Sequence, residues 1–313
     1  MTQAIGRAAR LIAGFETVYG TTPTAPACVV LPFISNGVKS TQSQTGSEVI
    51  TGTRDPVEPS LGNVKVAGAV VAPVDVTAIG YWFKSLLGAP TSTGTATCTH
   101  IFTTRATTIP SMILETQHTD IGLYRLNNGC KVSSLSMSFG GDGELSVSMD
   151  IIGSKETITA TAVATATTIS LTKFNNFQAV LKEGGATAAN CTAVDFKIEA
   201  GLDDTGYVIG GGGYLGQLPE GMYTITGTVK AFFENATLLN KAINGTESSL
   251  QITLINGVYS LDILLSELKY ERSSPSIENS KGILIELPFT AYYQDDANNT
   301  ACKVTLINTQ ASY

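Results

Sequence analysis

Residues 64–88, VKVAGAVVAPVDVTAIGYWFKSLLG, decide the fold because they combine a β-strand with a short amphipathic helix. The valine-rich start predicts a strand that ends at Pro73, since proline has no backbone N–H to continue a ladder. The apolar residues that follow recur at helical spacing and predict one buried stripe. They are Ile79, Trp82, Phe83, Leu86 and Leu87. We expect Asp75 or Thr77 to cap this helix and Gly88 to follow its end.

The same pattern returns in the second half of the chain. Residues 223–245, YTITGTVKAFFENATLLNKAING, again place a strand before a helix, with Asn235 as the expected N-cap. Gly227 stands where Gly68 stands in the first copy, and Gly245 corresponds to Gly88. The return of a whole strand and helix at half the chain length indicates an internal duplication.

A chain of 313 residues is long enough for two ordinary cores. We therefore predict two tandem domains, residues 36–160 and residues 161–313. Residues 1–35 are rich in glycine and proline, which interrupt regular structure. We expect this segment to form an extended N-terminal arm outside the core.

The composition and two hairpin patterns predict a mainly β protein. Only 14% of the residues are charged and 31 are glycine, which suits short strands and tight turns. Apolar and polar residues alternate on both sides of the turn at residues 140–143, and again in residues 259–265 and 283–289. This alternation predicts two long hairpins, each with one buried and one polar face.

The charge and the cysteines exclude several classes of protein. The net charge is −7, and a protein that binds nucleic acid tightly needs Lys and Arg to neutralise phosphates. The five cysteines are far apart and form no CxxC pair, so we expect neither a disulfide framework nor a zinc site. The sequence contains no run of about 18 apolar residues, the length that could span a membrane, so we expect no membrane partner.

We find no pattern that points to catalysis or to a cofactor. His100 and His118 are the only histidines, and neither has a patterned metal-ligand or triad partner. The carboxylate pairs Asp203–Asp204 and Asp295–Asp296 lie in polar loops and are interpreted as solvated turns. The glycine run at residues 210–213 lacks the Lys and Ser/Thr of a nucleotide-binding loop. We therefore expect a protein that is not an enzyme.

The first 155 residues contain a series of short motifs in a characteristic order. They are GFETVYGTTP at 14–23, Gly68 followed by LLG at 86–88, HIF at 100–102, a strand with Glu115, NGCKV at 128–132 and a hairpin ending at Gly153. In this order the motifs resemble the tail tube proteins (major tail proteins) of long, non-contractile-tailed bacteriophages. The second half is connected to this resemblance through the internal repeat.

The resemblance implies a fold and an assembly. Each half is expected to be a tail-tube-like β-sandwich or barrel domain with one flanking helix, and long hairpins of neighbouring subunits are expected to join around a lumen. Rings of such subunits stack into a tube in the virion tail, assembled in the host bacterial cytoplasm. A duplicated chain is expected to form a trimeric ring with pseudo-sixfold symmetry. The implied partners are further copies of the chain, a tape measure protein, a tail terminator and tail tip proteins, while DNA passes through without specific binding.

Within this interpretation, the polar faces of the hairpins are expected to line an acidic lumen. The expected lumen residues are Ser136, Ser146, Ser148 and Asp150 in the first hairpin and Asp262 and Glu286 in the second. The projecting loop that carries Arg54, Asp55 and Glu58 is expected to contact the next ring, since exposed edges of an assembling β protein need partners. The same strand pattern also allows an alternative, a carbohydrate-binding or adhesin-like β-sandwich module.

Overall fold

A computed structural model of the chain describes residues 3–188, 190–277, 280–294 and 298–313. The helices are α1 (Ala78–Leu87) and α2 (Thr237–Asn244), and short 3-10 turns lie at Gly6–Ala8 and Asn176–Gln178. The strands are β1 (Ala9–Phe15), β2 (Val29–Leu31), β3 (Ser35–Asn36), β4 (Lys39–Thr45), β5 (Ser60–Pro73), β6 (Thr91–Gly94), β7 (Cys98–Thr103), β8 (Met112–His118), β9 (Leu123–Phe139), β10 (Ser146–Gly153), β11 (Lys155–Thr159), β12 (Thr167–Thr168), β13 (Ala179–Glu183), β14 (Ala186–Thr187), β15 (Cys191–Glu199), β16 (Thr224–Phe232), β17 (Ser248–Asn256), β18 (Tyr259–Tyr270), β19 (Leu284–Tyr292) and β20 (Lys303–Asn308). The prediction of a mainly β protein is confirmed.

Eight strands form an antiparallel sheet that we call the central sheet. Their order across the sheet is β4, β5, β10, β9, β15, β16, β19 and β18. Two of these strands are shared with flanking sheets. The N-terminal part of β9 pairs with β8 and β11, and β18 pairs with β17 and β20. Long strands that pass from one sheet into another enclose the apolar core between them.

The strand pairings of the first half recur in the second. In the first half β4 pairs with β5, β5 with β10, β10 with β9 and β9 with β8, and α1 follows β5 along the chain. In the second half β15 pairs with β16, β16 with β19, β19 with β18 and β18 with β17, and α2 follows β16. The two series meet where β15 pairs with β9. By its pairing, β15 occupies the position in the second series that β4 occupies in the first.

The two glycines that mark the sequence repeat lie at the same kind of close contact. A Cβ atom on Gly68 would lie 2.2 Å from the carbonyl oxygen of Gly37, in the segment leading into β4. A Cβ atom on Gly227 would lie 2.2 Å from the carbonyl oxygen of Asp195 on β15. Both positions therefore need glycine because a neighbouring backbone occupies the space of a side chain.

The first helix forms as its sequence predicts. The Oδ1 atom of Asp75 accepts hydrogen bonds from the backbone N–H groups of Thr77 (2.9 Å) and Ala78 (2.8 Å), which would otherwise lack intrahelical partners. The apolar stripe is buried, and Trp82 is only 1% exposed. Gly88 ends the helix at a φ of 89°, a conformation that glycine adopts without steric cost. Trp82 is thus a core residue, as predicted.

The first 35 residues differ from the expected arm, because part of this segment lies in the core. Strand β1 pairs with β8 over seven residues and also with β2. Its Leu11 and Ile12 are 0% and 1% exposed. Apolar burial on both sides of this strand outweighs the glycines and prolines around it. The expectation that the whole segment lies outside the core is therefore wrong.

All five cysteines are free thiols, and four of them are buried. Burial raises the pKa of Cys28 to about 11 and of Cys302 to about 12, so neither thiol is reactive at neutral pH. Asp295 and Asp296 lie outside the described residues. Within the described ranges, neither helix has the length and apolar character needed to cross a bilayer.

Candidate functional site

The polar face of the central sheet is the most extended functional candidate. Strand alternation directs the side chains of Leu135 and Met137 into the core and those of their neighbours to the opposite face. Ser136 lies directly opposite Ser148 on β10. Ser146 belongs to the same row, since it is two residues from Ser148. The structure therefore brings these three predicted lumen residues together on one face.

Asp150 extends this group at the same face. It lies opposite Ser134, whose hydroxyl donates a hydrogen bond of 2.6 Å to its carboxylate. Asp150 is exposed, whereas Ser134 is only 5% exposed. A charged acceptor strengthens such a hydrogen bond. The contact holds the carboxylate close to the sheet.

Strands β15 and β16 supply further residues to this face that sequence reasoning missed. Asp195 and Lys197 lie opposite Ser138 and Ser136 on β9, and Thr226 continues the row on β16. Together with Ser146 and Ser148 they line a depression of about 480 Å³. The sequence does contain a signal for this strand, because Val194, Phe196 and Ile198 alternate with charged residues, as apolar and polar residues alternate in the hairpins.

The acidic residues of this face are accompanied by lysines. Glu286, a predicted lumen residue, lies opposite Lys230 and forms an ion pair with it. Lys197 forms an ion pair of 2.5 Å with Glu199. Exposed ion pairs stabilise a fold by only about 0–1 kcal/mol, but they neutralise local charge. The face is therefore rich in hydroxyl groups and mixed in charge.

Asp262 lies apart from the other predicted lumen residues. It is opposite Thr253 on β17 and Thr305 on β20, in the part of β18 that precedes its pairing with β19. The side chains of Gln251 and Thr253 donate hydrogen bonds of 2.8 and 2.6 Å to its carboxylate. The structure thus places Asp262 in a flanking sheet.

The loop between β4 and β5 carries the predicted inter-ring residues. Arg54, Asp55 and Glu58 are all exposed. The N–H of Asp55 makes only a long contact of 3.4 Å with the hydroxyl of Thr53. These side chains are accessible, and no described partner fixes them in the single chain.

Motifs from distant parts of the sequence meet at one buried carboxylate. Glu16 is 8% exposed and accepts hydrogen bonds from the hydroxyl of Ser111 (2.6 Å) and from the backbone N–H of Gly20 (2.8 Å). It also accepts hydrogen bonds from the N–H of Gly129 (2.9 Å) and the side chain of Asn128 (3.2 Å). The carboxylate therefore connects the GFETVYGTTP and NGCKV motifs.

The neighbouring Lys131 connects the first half to the second. Its ammonium group donates hydrogen bonds to the carbonyl of Leu218 (3.1 Å) and to the carboxylate of Glu220 (2.5 Å). Burial by itself would raise the pKa of Glu220, but the hydrogen bonds from Lys131 and from the N–H of Ile109 lower it overall. These contacts fix residues 218–220 against the first half.

The candidate catalytic groups have structural partners. The buried imidazole of His100 is hydrogen bonded to the hydroxyl of Ser92 (2.7 Å) and to the carbonyl of Gln310 (2.8 Å). Asp203 accepts two hydrogen bonds from Thr205, which lower its pKa, and Asp204 pairs with Lys65. The described residues contain no cluster of three or more metal-ligating side chains. These groups serve turns and packing.

The comparison with protein families agrees with this architecture. A family model described as "Phage tail tube protein" matches residues 6–291, which include both series of strand pairings. The chain belongs to the phage tail tube protein family. A search of curated proteins finds no match to the chain. The resemblance of the first 155 residues to phage tail tube proteins is confirmed, and the family match extends it through β16, α2 and β18 of this tail tube protein.

Proposed function

We propose that this tail tube protein closes into rings around a lumen and that the rings stack to form the tube through which phage DNA leaves the capsid. The pairing of β15 with β9 carries this proposal, because it joins two equivalent series of strands side by side in one sheet. If each series is one step around a ring, a chain contributes two steps. The repetition of pairings likewise supports the two duplicated domains that we propose, residues 36–160 and 161–313, with β1 added to the first through its pairing with β8.

Three chains then make a ring with pseudo-sixfold symmetry. Contacts that repeat head to tail generate a closed ring when the rotation between neighbours divides a full turn. We take the step from the first half to the second as one such rotation within one chain. Three duplicated chains give six steps, which is the trimeric ring that the family resemblance implies.

The polar face of the central sheet is the surface that we assign to the lumen. Its hydroxyl groups are short and neutral, and its acidic residues Asp150, Asp195 and Glu286 repel phosphates. The lysines of the ion pairs, Lys197 and Lys230, reduce this repulsion locally. DNA can therefore slide past without specific binding. Asp262 is not part of this assignment, because it lies in a flanking sheet.

The stacking of rings is assigned to the loop between β4 and β5. Arg54, Asp55 and Glu58 are exposed there and carry charges of both signs, so that a neighbouring ring can pair with them. A tape measure protein inside the tube, and terminator and tip proteins at its ends, complete the proposed assembly. The virion tail is the proposed location, after assembly in the bacterial cytoplasm.

The carbohydrate-binding alternative has less support. Small-molecule sites are commonly lined by aromatic and apolar side chains. The depression on the polar face is lined mainly by Ser, Thr and charged residues, and its one aromatic residue, Phe196, is only 2% exposed. The composition of this surface fits a smooth wall better than a sugar site.

Negative-stain electron microscopy of the concentrated protein tests the proposed function. We expect rings or stacked tubes, alone or after addition of tail tip proteins as a nucleus. Analytical ultracentrifugation of the rings should give the mass of three chains. A protein that stays monomeric under all these conditions contradicts the proposal.

A further inference from the structure

The central sheet has two terminal edges in the described part of the chain. At one end, β4 pairs with β5, and the described residues place no strand on its other side. At the other end, residues 271–277 continue from β18 in a stretch without strand or bridge. An unpaired edge readily accepts a strand of another chain. These two edges are therefore candidates for contact between copies.

We propose that residues 37–41 of one copy, the start of β4 with the two residues before it, pair with residues 271–275 of a second copy, in the register that β15 adopts on β9. The partner is a second copy because each chain carries both edges. The proposal rests on the proposed ring and names the surface that closes it. In this register Lys39 lies opposite Ser273.

The position of β4 in this register follows from the two glycines. Lys39 lies opposite Ala67, so Val38 lies opposite Gly68. Phe196 lies opposite Gly227. Val38 on the first edge therefore corresponds to Phe196 on β15, and Lys39 corresponds to Lys197.

The position of residues 271–275 follows from the hairpin partners. Ser134 on β9 lies opposite Asp150 of β10, and the next residue of β10, Ile151, lies opposite Gly68. The N–H of Glu271 donates a hydrogen bond of 2.8 Å to the carbonyl of Pro288 of β19, and the next residue of β19, Phe289, lies opposite Gly227. Glu271 therefore corresponds to Ser134.

These two correspondences set the register across the edge. Two residues beyond Glu271, Ser273 corresponds to Ser136. Within the chain Ser136 lies opposite Lys197. The equivalent contact between copies places Ser273 opposite Lys39.

The backbone of β4 has the orientation that the proposal needs. The N–H of Gly37 donates a hydrogen bond of 2.7 Å to the carbonyl of Ala69, so Gly37 faces β5. Because successive backbone groups of a strand alternate in direction, Val38 and Ser40 direct theirs away from β5. These two residues are positioned to bond a second copy.

Residues 271–275 satisfy the same condition once they extend as a strand. Glu271 directs its N–H toward β19, and in an extended conformation Arg272 and Ser274 direct theirs away from it. Pro275, which has no N–H, falls on the side that faces β19. The missing donor of proline therefore costs no hydrogen bond to the second copy.

Side chains of the single chain cover part of the β4 edge. The N–H of Val38 donates to the side-chain oxygen of Asn36 (3.0 Å), and its carbonyl accepts from the guanidinium of Arg125 (2.5 Å). Both groups must release Val38 when Ser274 of the second copy arrives. Until then they satisfy the edge, as proteins do to limit unwanted strand pairing.

Disulfide trapping tests the register. Directly opposed residues of a non-hydrogen-bonded antiparallel pair have Cα atoms about 4.5 Å apart, within the range that a disulfide bridges. We expect the double variant Lys39→Cys and Ser273→Cys to form rings in reducing buffer. On oxidation it should convert from monomer to covalent trimer on a non-reducing denaturing gel.

The matched control pairs Ser273→Cys with Thr45→Cys. Thr45 is exposed on the same strand but six residues away, roughly 20 Å along β4. This variant should form rings and stay monomeric on the gel. A density map of the wild-type ring provides a second measurement and should show β4 beside residues 271–275 of the next copy.

The possible failures are distinguishable. If the wild-type protein forms rings but the Lys39 and Ser273 variant does not cross-link between copies, the edge pairing is wrong and the proposed function stands. The same conclusion follows if the Thr45 control cross-links equally well. If the wild-type protein forms neither rings nor tubes, the proposed function is wrong and the edge pairing with it.

Discussion

The carboxylate of Glu16 accepts a hydrogen bond of 2.9 Å from the backbone N–H of Gly129, a residue 113 positions away in the sequence. Gly129 has a φ of 65°, and a Cβ atom there would lie 2.8 Å from the side chain of Ser154. The irregularity of β9 at Gly129, where its register with β8 shifts, therefore favours a residue without a side chain, and Glu16 holds it in place. The two motifs stabilise the fold at this point, where the N-terminal segment meets β9.

Removing this carboxylate should destabilise the protein. Glu16→Ala leaves buried donors of Ser111 and Gly129 without an acceptor, and we expect a loss of about 2–4 kcal/mol in the free energy of unfolding. Urea denaturation followed by circular dichroism measures this loss. Glu48→Ala, in the exposed loop after β4, should change stability by less than about 0.5 kcal/mol. Equal losses in the two variants contradict the assigned role of Glu16.

The two repeat glycines should respond alike to substitution. Gly68→Ala and Gly227→Ala each place a methyl group 2.2 Å from a backbone oxygen, so the strands must separate. We expect each change to cost about 1–3 kcal/mol, as overpacking does elsewhere. Gly46→Ala is the control, because nothing lies within 4 Å of its added Cβ. Thermal unfolding of the three variants measures this loss of stability. An unchanged stability after substitution of either repeat glycine argues against the close contact.

Stability should fall on acidification partly through Glu220. Its pKa is lower in the folded chain than in the unfolded chain, so the unfolded chain takes up a proton first as pH falls. The stabilisation is complete above the ordinary carboxyl pKa and disappears as pH falls through the lowered value. Between neutral pH and about pH 3, which lies below the ordinary Glu pKa of about 4.3, the urea midpoint of Glu220→Gln should therefore decrease less than that of the wild type.

The exposed residue Glu58 supplies the control for this pH dependence. Glu58→Gln removes one carboxylate from an exposed loop, where the described residues give this side chain no hydrogen bond or ion pair. Its urea midpoint should follow the wild-type curve at both pH values. If Glu220→Gln also follows that curve, the pair with Lys131 does not contribute to stability.

Positive charge on the polar face should make the tube retain DNA. Ser146→Lys together with Ser148→Lys adds cations beside Asp150 without burying them, so ring assembly should persist. Short duplex DNA should then bind the assembled tubes at low salt and dissociate as salt rises, since counterion release drives such binding. Thr246→Lys, next to α2, should leave the tubes without this binding. Equal DNA retention in the Thr246 control contradicts the assignment of the lumen.

The sequence predicts the elements whose patterns are local. The stripe around Trp82, a cap from Asp75 or Thr77 and the hairpin of β9 and β10 all follow from residues close in the chain. The structure confirms them, with the Asp75 side chain making the capping hydrogen bonds. Strand β1 could not be recognised in the same way, because its burial depends on β8, about a hundred residues later. Nearby glycines and prolines concealed this distant partner.

The candidate site shows the same limit. Alternation correctly places Ser136, Ser146, Ser148 and Asp150 on one polar face. It cannot show that β18 belongs to two sheets, which is why Asp262 was grouped with residues that lie elsewhere. Lys197 and Thr226 were missed although buried and polar side chains alternate along their strands. Only the position of β15 beside β9 brings these residues to this face.

An electron cryomicroscopy map of the assembled tube tests the central claim most directly. We expect three chains in each ring, so that six similar domains are related by pseudo-sixfold symmetry. We also expect Ser136, Ser148 and Asp150 to face the lumen. A ring of six chains, or a map in which these side chains face the outer surface or pack in the core, contradicts it.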